Sequence, residues 1–293
     1  MNNFKCNLIV PGFAKSGTSS LHEYLDLHPD ICMSRPKELH FFAIDKLYDN
    51  GAKFHNKIFR HCCGDGVRYF GTSSTLHSIW EPALKRISRD LDNPKIILVL
   101  RHPLERLLSH YNWLWALTLE NRPLLEAVIT EQKNGFHPDR SLRGNYACYL
   151  LASNYSYWCP KITSIFGEKN VYFLDSEELF QKKEKTMEKC FDFLGLEKIK
   201  ISTEIHKNKT DVKRLQRTTG LQLLKLINST IPASVKKKYD PDKKIKGSIL
   251  AYCYKILGTK KAKFKPEPSE EEVAKVKVFL EEDIRTYEKI FQK

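Results

Sequence analysis

The sequence predicts an α/β fold, a central parallel sheet flanked by helices, and three observations carry that prediction. Four short runs rich in apolar and β-branched residues have strand character: Cys6–Val10, Tyr69–Gly71, Ile96–Leu100 and Val171–Leu174. The stretches between them have helical apolar spacing and are long enough for crossover helices, the alternation that builds a parallel sheet covered on both faces. The first run also opens directly into a glycine-punctuated turn of the kind that joins a strand to a helix. At 293 residues, 41% of them hydrophobic, the chain suits one α/β domain with a substantial core. No repeat or low-complexity tract interrupts it.

Residues 8 to 21, Leu-Ile-Val-Pro-Gly-Phe-Ala-Lys-Ser-Gly-Thr-Ser-Ser-Leu, are the most informative stretch. Gly12 and Gly17 allow tight backbone turns. The helix expected from Thr18 aims free N–H groups and its positive dipole end at the loop, and Lys15 adds a full charge. The segment is therefore a P-loop-like, anion-binding turn. Its Gly12-to-Gly17 spacing satisfies half of a Walker A loop, but Thr18 and Ser19 follow where that motif has Lys and then Ser or Thr. With the lysine inside the loop, the turn suits a nucleotide 5′-phosphate bearing a transferable group better than a Mg-bound β/γ-phosphate pair. An ordinary strand-to-helix turn has the same outline.

The next element, Lys95-Ile-Ile-Leu-Val-Leu100, is continuously apolar, as a parallel strand buried on both faces should be. It delivers Arg101 at its end. Pro103 fits the first turn of a following helix whose face carries Arg106, Ser109 and His110. An arginine at a strand end with a hydroxyl on the next helix makes a second anion site, although Arg101 alone equally suits a surface ion pair. Tyr111, Trp113 and Trp115 follow, placed either to pack the helix or to stack on a ligand.

In this order the motifs become specific. Gly12-Phe-Ala-Lys15-Ser-Gly17-Thr-Ser-Ser-Leu21 resembles the 5′-phosphosulfate loop of the sulfotransferases that use 3′-phosphoadenosine 5′-phosphosulfate (PAPS). Arg101-His-Pro-Leu-Glu-Arg106-Leu-Leu-Ser109-His-Tyr111 resembles their 3′-phosphate motif, R-x-P-x-x-R-x-x-S-x-Y. Lys37-Glu38-Leu39-His40-Phe41-Phe42 is similar to the K-E-x-H-F-F segment of the heparan-sulfate glucosaminyl branch and its bacterial relatives. A weaker echo is Arg143-Gly-Asn-Tyr146 through Asn170-Val-Tyr-Phe-Leu-Asp175, like the family's G-x-Y helix followed by a late strand. The resemblance covers roughly residues 5 to 200.

The resemblance implies that Lys15, Ser16, Gly17, Thr18 and Ser19 hold the 5′-phosphosulfate and that Arg101 and Ser109 hold the 3′-phosphate. It makes Glu38 the general base, with His40 beside it, and Lys15 the electrostatic stabiliser of the leaving phosphate. It implies PAPS as co-substrate, PAP as product, in-line transfer to a hydroxyl or amine, and no metal requirement. On spacing alone, Glu38 equally reads as a solvated loop charge and His40 as a core histidine. The chain departs from the pattern where glycan enzymes read G-E-K-T-P-S-Y: here it is Gly71-Thr-Ser-Ser-Thr-Leu-His77, with Ser73 in place of the lysine. That loosens the inference to an anionic glycan. Lys207-Asn-Lys209-Thr-Asp-Val-Lys213-Arg214 stands as a substitute for the family's late basic loop.

The formal net charge is +14, and from Ala233 to Lys265 eleven lysines face two aspartates. This segment suits a solvated surface, a lid over an anionic cofactor, or a patch for an acidic polymer. A lysine-rich insertion or lid is therefore expected over about 207–268 of the single 1–293 domain, followed by one C-terminal helix over about 269–291. In that helix Ser269 caps Glu270-Glu-Glu, and Val273, Val276, Phe279, Leu280, Ile284 and Tyr287 form its apolar stripe.

Eight cysteines form no C-x₂-C pair. The adjacency Cys62-Cys63 suits neither a metal site nor an ordinary bridge, so free thiols in a reducing compartment are expected, with Cys148–Cys159 the pair to form under oxidation. The chain enters its first strand almost at once and has no 18-residue apolar run, which predicts a cytoplasmic protein with no membrane partner. The sequons at Asn154, Asn208 and Asn228 are then coincidental. The function expected is sulfation of a small polar metabolite, natural product or saccharide. An oligosaccharide or polysaccharide acceptor is the enzyme alternative, and a P-loop kinase or a non-catalytic binder of anionic polymer the rivals of another class. No nucleic-acid partner is expected, and the oligomeric state is not specified by the sequence.

Overall fold

The computed structural model describes residues 4–62, 66–116, 119–134, 147–201 and 267–293. The anticipated segments 143–146, 207–214 and 233–265 lie outside the described residues.

Five parallel strands form one sheet: β1 (Leu8–Val10), β2 (Ile31–Met33), β3 (Tyr69–Ser73), β4 (Lys95–Leu100) and β5 (Val171–Asp175), in the order β2-β3-β1-β4-β5. The α/β expectation holds, with one strand more than the sequence suggested. β2 has only three residues, too few to display a period, and its strand character comes from pairing with β3, Ile31 opposite Tyr69 and Met33 opposite Gly71.

The strands alternate sides as a pleat requires. On β1, Ile9 faces one core with Ile96, Leu98 and Leu100 of β4, while Leu8 and Val10 face the other with Ile97 and Val99. The first core is closed by α2 (Glu81–Asp90), through Ala83, Leu84 and Ile87, and by α5 (Tyr155–Phe166), through Trp158 and Ile162. The second is closed by α1 (Thr18–Leu25), through Leu21 and Leu25, and by α7 (Lys183–Leu194), through Met187, Cys190 and Phe191. Between β5 and α7 lies the short α6 (Ser176–Gln181), whose N-cap is the Asp175 carboxylate accepting from Glu177 N–H.

A third apolar cluster lies beside the sheet. It joins α3 (Pro103–Ala116) and α4 (Leu124–Asn134) to the C-terminal region through Leu107, Tyr111, Trp115, Val128, Val276 and Leu280. The expected single C-terminal helix is two: α8 (Glu270–Val278) and α9 (Glu281–Phe291). Ser269 and Glu272 form a reciprocal capping box, as the Ser-x-x-Glu spacing implies. The break falls at Phe279–Leu280. Leu280 stays in the core at 0% exposure, whereas Phe279, anticipated on the same stripe, is 43% exposed.

The thiols also differ from expectation. Cys32 of β2 and Cys62 form a disulfide with Cα atoms 6.0 Å apart, whereas Cys148 and Cys159, both buried, are not bridged to each other. The pairing arises because Arg35 N–H donates to Ile58 C=O and the His61 ring bonds Met33 C=O, which lays residues 58–62 along the edge strand. A contact across 30 residues of sequence leaves no mark in cysteine spacing.

In this strand order the chain goes from β1 to the edge at β2, returns inward to β3 beside β1, then crosses β1 to β4 and on to β5. The crevice beyond the carboxyl ends of β1 and β4 is the topological switch point, the usual ligand position in open α/β sheets.

Candidate functional site

The loop after β1 is shaped by two residues in left-handed backbone, Lys15 (φ 69°) and Gly17 (φ 100°). At Gly17 any side chain would be strained, and a Cβ would meet the Phe180 ring at 3.2 Å. Gly12 is required for a different reason: a Cβ there would sit 2.2 Å from the Ser78 hydroxyl. Gly17 is the N-cap of α1 and offers no side-chain acceptor, so the first-turn N–H groups of Thr18, Ser19 and Ser20 remain available to an anion. Ser16 is fully buried beside Tyr155, Thr18 is buried, and Ser19 is exposed at the mouth.

Lys15 and Arg101 converge on this crevice from β1 and β4. Burial, and then the Arg101 charge, push the Lys15 ammonium below the ordinary lysine range. Its Nζ lies 5.3 Å over the Trp113 ring, while Tyr111 and Trp115 are buried in the third core. Of the three aromatics noted in sequence, Trp113 alone faces the loop lysine. The Arg101 guanidinium is half-exposed and paired with Glu105 at 3.1 Å, one helical turn on. Ser109, half-exposed on α3, lies about one turn beyond Glu105 on the same helix.

The motif's second arginine serves another purpose. Arg106 is 0% exposed, and its guanidinium donates to Ser153 Oγ (2.7 Å) and to the carbonyls of Tyr149 (2.5 Å), Cys148 (3.4 Å) and Ala14 (3.3 Å). The half-buried Glu131, its carboxyl held above the usual range by desolvation, accepts the N–H groups of Tyr149, Leu150 and Leu151. Arg106 thus ties the loop, at Ala14, to the helical layer. Its sequence spacing suggested a ligand-facing helix position, and its surroundings make it framework.

The Lys37-to-Phe42 segment enters from β2. Phe41 and Phe42 are buried, and they anchor the residues before them. Glu38 is fixed by the loop after β3: its Oε2 accepts from Thr75 N–H at 2.9 Å and from the Thr75 hydroxyl at 3.3 Å. Lys37 Nζ bridges from Glu38 Oε1 to Thr18 Oγ1, the latter at 3.4 Å. The carboxylate is therefore one lysine side chain from the first turn of α1. His40 is buried, has left-handed backbone (φ 55°), and holds Nδ1 3.7 Å from Glu38 Oε2. Burial pushes its pKa down, so it faces Glu38 as a neutral ring at pH 7.

Sequence reasoning passed over three groups. Lys37 was quoted within its motif but given no role. Thr75 carries no motif signal of its own. His22 of α1 bonds the buried Ser73 hydroxyl through Nδ1 at 2.9 Å, and burial lowers its pKa to about 4. Where a lysine was expected at the β3 exit there is consequently an uncharged Ser–His pair.

A 5′-phosphosulfate fits this constellation. A lysine whose pKa is lowered first by burial and then by a nearby arginine stands at a helix start with unfilled donors, and a doubly charged anion relieves both conditions. Lys15, Gly17, Thr18 and Ser19 would hold it, whereas Ser16, named with them in the motif, has its N–H on Phe13 C=O and its side chain buried.

The comparisons with known proteins agree in kind. The family model described as sulfotransferase domain matches residues 6–239. Human heparan sulfate glucosamine 3-O-sulfotransferase 3B1 is 27% identical over 205 residues, 69% of this chain and 49% of that protein. The membrane-associated sulfotransferase kil1 of Dictyostelium discoideum is 34% identical over 108 residues, 36% of this chain and 22% of that protein. The chain thus spans about half, or less, of the length of the curated relatives it matches. Among solved structures, a sulfotransferase from Alicyclobacillus acidocaldarius superposes with a TM-score of 0.59 at 22% identity, over 76% of this chain and 92% of that one, and shares the fold. Among the described residues no helix is long and apolar enough to cross a membrane.

Proposed function

The chain belongs to the sulfotransferase family, and from that premise we propose that it moves a sulfuryl group from PAPS to a hydroxyl or amine of a saccharide or small polar molecule. The observation that carries this reading is the Lys37 bridge. It links Thr18, at the start of the donor-binding helix, to Glu38, the carboxylate that would take the acceptor's proton. Donor loop and base thus share one mouth, although 19 residues separate Lys37 from Thr18 in sequence.

PAPS supplies an activated sulfuryl group on a good leaving phosphate. Lys15 and the α1 N–H groups hold that phosphate and stabilise the charge it gains as the S–O bond breaks. Arg101 and Ser109 grip the 3′-phosphate and so distinguish PAPS from other adenine nucleotides. Glu38, oriented by Thr75, receives the proton from the attacking hydroxyl or amine. Neutral His40 limits how Glu38 turns, and Lys37 is placed to follow either the carboxylate or a sulfuryl oxygen. The Ser73–His22 pair adds no charge at the β3 exit, which supports an acceptor less anionic than a finished heparan chain. The heparan sulfate relatives support a saccharide among candidate acceptors.

The test is PAP release from PAPS across a panel of monosaccharides, neutral and sulfated oligosaccharides and hydroxylated or amino-bearing small molecules. Acceptor-dependent PAP release, abolished in Glu38→Gln, is expected. Release that is the same with and without every acceptor would reject the reading.

A further inference from the structure

Among the described residues, one group outside the donor site brings metal-ligating side chains together: Cys32, His61 and Cys62, whose ligand atoms all lie within 4.8 Å of one another. The cluster is on the edge strand, two strands from β1 in the sheet. A disulfide requires no imidazole, yet His61 Nε2 lies 3.6 Å from Cys32 Sγ and 4.0 Å from Cys62 Sγ. We propose that this cluster is a thiol-gated site for a zinc-class divalent cation: closed as a disulfide when oxidised, and, when reduced, ligating through Cys32 Sγ, Cys62 Sγ and His61 Nε2.

The geometry is close to that of a tetrahedral site and two changes from it. With Zn–S of about 2.3 Å and Zn–N of about 2.0–2.1 Å, a tetrahedral ion sets sulfur and nitrogen about 3.5 Å apart and two sulfurs about 3.8 Å apart. Both sulfur–nitrogen edges are already near that value. The sulfurs must part, by side-chain rotation on backbones whose Cα atoms are 6.0 Å apart, and His61 Nε2 must exchange its bond to Met33 C=O for the ion. Cys32 is 8% exposed and forms the floor, while His61 and Cys62 are half-exposed and leave an entry path and a fourth position for solvent. In the disulfide state Nε2–H donates to Met33 C=O at 3.0 Å, which aims the ring at both sulfurs. In the metal state that nitrogen gives its lone pair and the proton moves to Nδ1.

The chemistry balances with a dithiol reductant. Its two thiols become a cyclic disulfide, giving two electrons and two protons to the Cys32–Cys62 bond, which opens to two thiols. The cation then displaces both thiol protons to solvent. The other cysteines of the described residues, Cys6, Cys148, Cys159 and Cys190, are buried and do not compete.

The test uses the full chain carrying Cys63→Ser, so that the neighbouring thiol neither exchanges nor ligates. Oxidised protein, and protein reduced with dithiothreitol and then desalted without oxygen, are titrated with Co²⁺ as a spectroscopic probe and back-titrated with Zn²⁺. Reduced protein should take up one equivalent with a thiolate-to-cobalt charge-transfer band that Zn²⁺ erases, releasing about two protons per ion. Oxidised protein should show no band. His61→Ala should weaken Co²⁺ uptake at least tenfold, and Cys32→Ser should abolish the two-thiolate band. Stoichiometric uptake absent from the reduced protein, or undiminished in Cys32→Ser, would overturn the proposal. If Cys32→Ser fails to fold, the oxidised-against-reduced comparison decides it unaided.

Discussion

Replacing Arg106 with methionine separates two meanings of the second arginine in the R-x-P-x-x-R motif. If Arg106 held a phosphate, the variant would fold normally and lose ligand. The structure says otherwise, because every guanidinium nitrogen is spent on protein groups. Methionine fills most of the volume but leaves Tyr149 C=O and Ser153 Oγ, the partners of the two shortest bonds, buried without a donor. At about 1–3 kcal/mol for each of the two stranded groups, the loss is on the order of 2–6 kcal/mol before the regained cost of burying a cation is subtracted. That is a large part of an ordinary domain's stability of about 5–15 kcal/mol. Urea unfolding reads the loss directly as a lower midpoint at unchanged slope. PAP affinity in protein that remains folded should fall only a few-fold, through the slackened Ala14 tether. A variant with wild-type urea stability and PAP affinity reduced a hundredfold would refute the framework assignment.

Other outcomes follow from the same geometry. Glu38→Gln keeps the side chain's shape and one acceptor oxygen for Thr75 while turning an NH2 toward Lys37, so calorimetric PAP binding should stay close to wild type while turnover of PAPS falls about 10²–10⁴-fold. Arg101→Ala should weaken PAP but leave AMP unchanged, whereas Lys15→Ala should weaken both; paired titrations of the two nucleotides check this. Burial holds His22 and His55 neutral, each with a pKa of about 4 in the folded protein against about 6.5 unfolded. Between those values the unfolded chain binds more protons. Stability should therefore rise with pH across the window and be lost as pH falls from about 6.5 to about 4, by up to about 1.4 kcal/mol per pH unit for each ring. Urea midpoints at pH 7, 6 and 5 measure the slope, and His55→Phe, set among Phe4, Phe41, Phe42 and Phe59, should flatten it. A slope unchanged in His55→Phe would count against a buried neutral His55.

The parts of the fold written in local chemistry were legible. Lys95–Leu100 reads as a doubly buried strand because each of its faces meets a different core, and Gly17 marks the turn because left-handed backbone admits little else. Other features depend on partners distant in sequence. β2 is three residues long and is a strand by virtue of β3. β3 runs two residues beyond its apolar part, since Thr72 and Ser73 are polar yet buried, each hydrogen-bonded by a neighbour, Ser34 or His22. The Cys32–Cys62 bridge and the break before Leu280 are likewise tertiary outcomes. Within the candidate site, the order of motifs is what nominated Lys15, Glu38, His40, Arg101 and Ser109 together, by resemblance. What pins them was hidden: Thr75 on Glu38, Lys37 between Glu38 and Thr18, and the buried Arg106 behind Ala14.

The donor site is the central claim, and calorimetric titration of the full chain with PAP, AMP and ATP in chelator-treated buffer tests it most directly. One equivalent of PAP binding at micromolar affinity, at least tenfold tighter than AMP and ATP, is the expected result. Equal affinity for PAP and AMP would contradict the pairing of Arg101 with a 3′-phosphate, and no binding of PAP would contradict the site as a whole.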